Sequence, residues 1–423
     1  MEKELFDNII NGTHGYTADD YIYPEDSAVR NRLEWFRDQK LALMIHFGLY
    51  SQPGICESWP LSDHDSAWSR AQVDWETDGN KFREQYFNLN KSFNPIRFQP
   101  DVWADIADKS GFKYLIFTTK HHDGFCLWDT NETDYKATAP ECPFSTHKHA
   151  DIVKSVFNAF REKGLAIAAY FSKPDWHVDS FWAKDQEKYP GEWRMPTYDV
   201  GEKPEIWEKF RKFTHSQIME LMSGYGLIDI LWFDGGQVSP HIGLDLKMED
   251  IARESREINP ELLIVDRTIG GEYENYITPE CTVPDEALLV PWESCLTLGT
   301  GFSYRYDDAY KSCGEIIKLL IDIVCKGGNL ALNIAPSPDG RLPQPAVESV
   351  LGMGEWLKKY GEGIYGTRPI APYKKNGVCY TKKENLIYAF ITENDVKPEF
   401  CFDGKVTKLS GDDEDIGVYK IYG

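Results

Sequence analysis

No apolar stretch in this 423-residue chain approaches the ~20 residues that a membrane-spanning helix requires, so no membrane partner is expected. The opening MEKELFDNIINGTHGYT is polar and acidic and lacks the apolar core of a secretion signal, so a cytoplasmic location is expected. Nine cysteines, an odd number, are scattered from Cys56 to Cys401 without a CxxC pair. That pattern is neither a disulfide framework nor a structural zinc site, and it suits a reducing compartment. Basic charge is scarce. The 46 Lys+Arg face 68 Asp+Glu, a net charge of −22, and no basic run breaks that field. A polyanion would be repelled over most of the surface, so nucleic acid is not an expected partner. Neither GxGxxG nor GxxxxGK[ST] follows the first apolar run, which removes the main mark of the nucleotide-binding sheets.

What is present points elsewhere. Aromatic residues make up 14% of the chain and include 13 Trp; flat apolar rings with polar edges suit the C–H faces of sugars as well as they suit a core. Short, unalternated apolar runs recur as LALMIHFG (41 to 48), YLIFTTK (114 to 120), LAIAAYFS (165 to 172), IDILWFDGG (228 to 236), LLIVDR (262 to 267) and LALNIAP (330 to 336). Such runs suit parallel strands buried on both faces. Between them the period is helical. In DIVKSVFNAFREKG, Ile152, Val153, Val156, Phe157 and Phe160 form one stripe, Asp151 can cap the start and Gly164 the end. Similar patterns fill roughly 205 to 223, 247 to 257, 307 to 325 and 344 to 360.

Alternation of this length predicts an α/β chain folded as a (β/α)8 TIM-like barrel, taken here as irregular because the seventh strand, near ALLVPWES (287 to 294), is weak. The barrel is placed at 1–364. From 365 the text breaks into short β-like pieces, GVCYTKKENLIYAFI among them, and a small all-β domain is expected over 365–423.

In a barrel the chemistry gathers at the C-terminal ends of strands. His46, His121, His122, Asp123, Tyr170, Asp234 and Arg267 all fall there. Two long aromatic loops, 49 to 99 with Trp59, Trp68 and Trp75, and 173 to 203 with Trp176, Phe181, Trp182 and Trp193, are expected to wall the site. Neighbouring residues of a strand point to opposite faces, so adjacent His121 and His122 are poor metal spacing, yet at a strand end both can reach one pocket. HHD also reads as a cluster that satisfies its own backbone. Asp234 ends a run too apolar to welcome a carboxylate and precedes Gly235 and Gly236, which permits a nucleophile or, equally, a helix cap or an arginine partner. Glycoside chemistry needs a second carboxylate, and Glu272, Glu274, Glu280 and Glu293 all qualify by position. Arg267 serves a carboxylate, a sugar hydroxyl or its neighbour Asp266. Asn333 reads as structural.

Together these stretches resemble the α-L-fucosidases of glycoside hydrolase family 29. The matching pieces, in order, are EWFRDQKLALMIHFGLYS, KSGFKYLIFTTKHHDGFCLWDT, AAYFSKPDW, LWFDGG, VDRTIGGEYENYITPE, WESCLTLG and NLALNIAPSPDGRLP. The resemblance implies an irregular barrel with a β-rich C-terminal domain, retaining hydrolysis of terminal α-L-fucosides on fucosylated glycans, and no metal or organic cofactor. It places the nucleophile on Asp234 and the acid/base on Glu280, 280 − 234 = 46 positions on, with Glu293 in reserve. Fucose contacts fall on His46, His121, His122, Tyr170 and Arg267, and Trp232 joins them. In the first long loop, ESW offers Glu57 and Trp59 while DWE offers Trp75 and Glu76; Glu57 and Trp59 are taken as substrate-binding. Burial is expected to keep Glu280 protonated and hydrogen bonds to keep Asp234 ionised. The short C-terminal region leaves the site open or completed by a second subunit of a homo-oligomer. Two rivals are a fucose-binding barrel with lapsed catalysis and a metal-dependent hydrolase using His46, His121 and Asp234.

Overall fold

Runs that are apolar at every position need cover on both faces, and in the computed structural model they obtain it as the strands of one parallel sheet. The structure describes residues 21–182, 194–393, 396–411 and 414–422. The strands are β1 (Leu41–Ile45), β2 (Tyr114–Lys120), β3 (Ala166–Ser172), β4 (Ile230–Asp234), β5 (Leu263–Asp266), β6 (Glu293–Thr297) and β7 (Asn329–Asn333). Their order is β5-β4-β3-β2-β1-β7-β6, and every ladder is parallel.

Period-two alternation divides these strands between two cores. Ala42, Met44, Tyr114, Ile116, Tyr170, Trp232, Val265 and Ala331 share an inner cluster, plugged by Val29, Leu33 and Phe36 of the helix Ser27–Gln39. Leu43, Ile45, Leu115, Phe117, Ile167, Phe233 and Leu332 face the other way and pack with helices such as Ile152–Glu162 and Cys313–Cys325. In Ile152–Glu162 the expected stripe is buried, and Asp151 accepts from the Lys154 amide as its N-cap.

The sheet is a seven-stranded parallel half-barrel. Between β5 and β6 the described residues form isolated bridges rather than a ladder: Val265 with Glu274, Ile277 with Trp292, and Glu280 with Cys295. β6 corrects the sequence reading, because its strand begins at Glu293 and not at 287. Leu289 of the apolar ALLVP run is 63% exposed, whereas the Glu293 carboxyl is fully buried. A partnered carboxyl has taken the core position that hydrophobicity alone would give to leucine.

A second sheet, antiparallel, contains β8 (Arg368–Lys375), β9 (Val378–Lys383), β10 (Leu386–Ile391), β11 (Lys405–Lys408) and β12 (Gly417–Tyr422) in the order β11-β12-β10-β9-β8. Asn376 and Gly377, both at positive φ, supply the two-residue hairpin turn between β8 and β9. Tyr388, Phe390 and Val418 join the larger core cluster with Val350 and Leu357 of the helix Gln344–Tyr360. No helix among the described residues is long and apolar enough to cross a membrane.

Candidate active site

The C-terminal ends of β1 to β6 surround a cavity of about 210 Å³. Asp234, the last residue of β4, lies in its wall with its side chain 16% exposed. The chain must turn sharply after it, since a Cβ at Gly235 (φ 93°) would come within 2.3 Å of Pro174. Glycine is the residue that permits this approach.

Asp234 is heavily partnered. Arg267 Nη1 donates to its Oδ1 at 2.7 Å, the Tyr170 hydroxyl donates to its Oδ2 at 2.6 Å, and His122 Nε2 stands 4.0 Å away. Burial alone would push this carboxyl up. The adjacent Arg267 charge, with His122 and the Tyr170 hydroxyl, outweighs burial and holds Asp234 well below the usual carboxylate range. It is therefore ionised at neutral pH.

Arg267 follows β5 and does more than hold Asp234. Its Nη2 donates to Glu280 Oε2, its Nε to Thr278 Oγ1 at 3.1 Å, and its guanidinium lies 4.9 Å from the Trp232 ring centroid. One buried cation therefore links both carboxylates singled out in the sequence. The neighbour pairing with Asp266 does not occur, because Asp266 accepts from Lys173 Nζ at 2.5 Å. Glu280 departs from expectation: its side chain is 43% exposed at the cavity rim and bonded to Arg267, so burial does not surround it.

Three imidazoles also line the cavity. His46 Nδ1 bonds Asn333 Oδ1 at 2.8 Å, and the Asn333 amide donates to the Phe302 carbonyl at 2.8 Å, so Asn333 orients the ring. His121 Nδ1 bonds Ser58 Oγ at 2.6 Å. Both ring nitrogens of His122 lack a hydrogen-bond partner among the described residues. Burial lowers all three, His122 to about 4 against the pull of Asp234, so the rings are neutral. Asp123 plays another part: it accepts from Tyr86 at 2.7 Å and from the Phe125 amide, and stays outside the cavity.

The first long loop delivers Glu57 and Trp59 to the cavity and leaves Trp75 and Glu76 outside it. Glu57 is buried, its Oε1 has no hydrogen-bond partner among the described residues, and burial pushes it up to about 7 against hydrogen bonding from Ser303. The other carboxylates do not line the cavity. Glu274 accepts from the Thr268 and Gly270 amides. Glu293, the reserve acid/base, is buried below the floor, where it accepts from Tyr114, Trp232 Nε1 at 3.3 Å and Tyr276 at 3.4 Å, and burial raises it to about 7. It braces the Trp232 ring.

Trp68 of the first aromatic loop lines the cavity as expected, whereas Arg194, Gln237 and Phe302 also line it and were not singled out from sequence. No strand-end position marks them. From the second long loop, Trp176 backs His122 with ring centroids 5.1 Å apart and stacks on Trp182 at 5.0 Å. Trp193 lies outside the described residues.

The closest approach to metal-ligand geometry in this cavity is His121, His122 and Asp234, whose ligand atoms lie within 4.8 Å of one another. His46 is not among them, contrary to the metal-hydrolase grouping. The sole carboxylate of the trio already neutralises a guanidinium and accepts a phenol, so a cation there would have to displace Arg267.

Residues 10–362 match the family model described as alpha-L-fucosidase. The tissue alpha-L-fucosidase of Macaca fascicularis is 26% identical over 84% of this chain and 74% of its own length. The alpha-L-fucosidase of Dictyostelium discoideum is 27% identical over 85% and 77%. Among solved structures, alpha-L-fucosidase isoenzyme 1 from Paenibacillus thiaminolyticus superposes with a TM-score of 0.77 at 27% identity, covering 94% of this chain and 99% of its own. The Thermotoga maritima alpha-fucosidase complexed with a mechanism-based inhibitor gives 0.71 at 26%, covering 95% and 96%. A glycoside hydrolase, the chain belongs to the alpha-L-fucosidase family.

Proposed function

We propose that Asp234 and Glu280 carry out a double displacement that removes terminal α-L-fucosyl residues from glycans with retained configuration. Asp234 attacks the anomeric carbon while Glu280 protonates the departing oxygen. Glu280 then takes a proton from the water that releases fucose. The observation that carries this reading is the shared guanidinium: Arg267 bonds both carboxylates and so sets them side by side, as retention through a covalent intermediate requires. It also keeps Asp234 anionic, the state a nucleophile needs.

The remaining groups suit a small polyhydroxylated ring. With Nδ1 of His46 and of His121 already bonded, each offers Nε2, while His122 offers both nitrogens and Glu57 its unpartnered Oε1. Trp232 and Trp59 supply apolar faces. A cavity of about 210 Å³, closed below by the inner core, takes one terminal sugar and supports exo action. On the same reading the half-barrel is an irregular (β/α)8 barrel in which the bridged segment 274 to 280 replaces a regular strand, and the β domain begins near residue 365.

The direct test is 2-deoxy-2-fluoro-α-L-fucosyl fluoride, whose fluorine slows turnover while fluoride departs readily. An adduct is expected on the peptide bearing Asp234, found by mass spectrometry. An adduct on another residue, or none, overturns the assignment.

A second expectation concerns Arg267. In Arg267→Met, kcat/KM should fall about 100-fold, as for loss of one preorganised charge. The sign of the pH effect is fixed: Arg267 holds the Asp234 carboxyl down, so its loss moves the acidic limb of the kcat/KM profile to higher pH. An acidic limb that stays in place would show that Arg267 does not control the nucleophile.

A further inference from the structure

Trp68 stands at the cavity rim with half of its surface in solvent. Its Nε1–H donates to Asp65 Oδ1 at 3.2 Å, and Asp65 is itself 1% exposed. The same carboxylate receives Arg194 Nε at 2.9 Å and Nη2 at 2.5 Å, in the two-nitrogen pairing that arginine's planar fork allows. Arg194 lies 4.6 Å from the Trp59 ring centroid, and the Trp59 and Trp68 rings are 6.3 Å apart. A buried, neutralised carboxylate thus fixes an exposed indole, and an arginine joins it to the ring of Trp59. A ring held in one orientation on the lining of a ligand cavity is placed to contact what enters it.

Its position states what it would bind. Glu280, the half-exposed carboxylate beside the departing oxygen, also lies at the rim, so the group on that oxygen must leave the cavity past the rim residues. We propose that Trp68, fixed by Asp65, is the stacking platform for the first pyranose ring of the aglycone, which favours a fucosylated oligosaccharide over a fucoside whose leaving group is too small to reach the ring. This rests on the fucosidase reading above. An indole face accepts the axial C–H bonds of a pyranose.

The test compares two substrates of the full-length enzyme: a fucosyl disaccharide, and α-L-fucosyl fluoride, whose leaving group is a single atom and reaches no platform. In Trp68→Ala the loss of kcat/KM on the disaccharide should exceed the loss on the fluoride by about tenfold, the size expected for one aromatic stacking contact. Trp68→Phe, which keeps a ring, should recover most of that difference. Equal losses on both substrates would mean that Trp68 only supports the rim, and no loss on either would mean that the aglycone passes elsewhere; both overturn the platform. Failure of the wild-type enzyme to turn over the fluoride would instead sink the fucosidase reading itself and the platform with it, so the two failures are told apart.

Discussion

Exchange of Asp234 for glycine is expected to lower kcat on an aryl α-L-fucoside by about 10⁴-fold, because it removes the carboxylate proposed to form the intermediate. Added azide should restore part of the rate. The small anion fits the space left by the carboxylate, where Arg267 Nη1 and the Tyr170 hydroxyl have both lost their acceptor. Azide then attacks from the side opposite the leaving group and has no carboxylate to displace it, so the product is the β-fucosyl azide, with configuration inverted. Identification of that anomer by NMR checks the assignment, and rescue giving the α-azide would contradict it. The same exchange has a stability signature. Asp234 is depressed in the folded state, so it stabilises the fold above its unfolded value near 3.9 and ceases to do so as pH falls through the lower folded value. The variant's deficit in melting temperature should therefore shrink toward strongly acid pH.

How much of this was legible in the sequence differs by element for physical reasons. β1 to β5 and β7 declare themselves because both faces are covered, which forces apolar side chains at nearly every position. Strand-end placement collected His46, His121, His122, Tyr170, Asp234 and Arg267, which share one cavity, but also Asp123, which turns away to Tyr86. β6 was misplaced because its first residue is a glutamate made acceptable in the core by Tyr114, Trp232 and Tyr276, partners that come from three other parts of the chain. The choice of Glu57 and Trp59 over Trp75 and Glu76 had no local signal either, since a loop of short helical turns carries no period from which to read an inward face. Least visible was the rim. Asp65 and Arg194 are 129 residues apart on two irregular loops, and their ion pair is a fact of three dimensions alone.

Replacing Glu280 with glutamine should cost about 10³-fold in kcat/KM on a fucosyl disaccharide and far less on substrates whose leaving groups need no proton. Glutamine keeps the shape of the side chain and loses the transferable proton. A sugar alkoxide is a poor leaving group without protonation, so the first step slows most there, whereas a nitrophenolate or fluoride departs unaided. Their turnover is then limited by the second step, in which the missing base no longer activates water, and the fucosyl-enzyme should build up as a rapid burst of released leaving group. A loss independent of the leaving group would remove Glu280 from proton transfer. Its position makes the test a sharp one, because a half-exposed carboxylate bonded to Arg267 must exchange that contact for the departing oxygen when substrate enters. Glu57 is the internal control. Buried in the same cavity, with one oxygen unpartnered and its carboxyl raised to about 7, it has the protonation that an acid catalyst needs near neutrality. If Glu280 is the acid/base, Glu57→Gln should weaken all fucosides alike through binding; a leaving-group dependence in that variant instead would move the proton to Glu57 and leave Glu280 as a rim partner of Arg267.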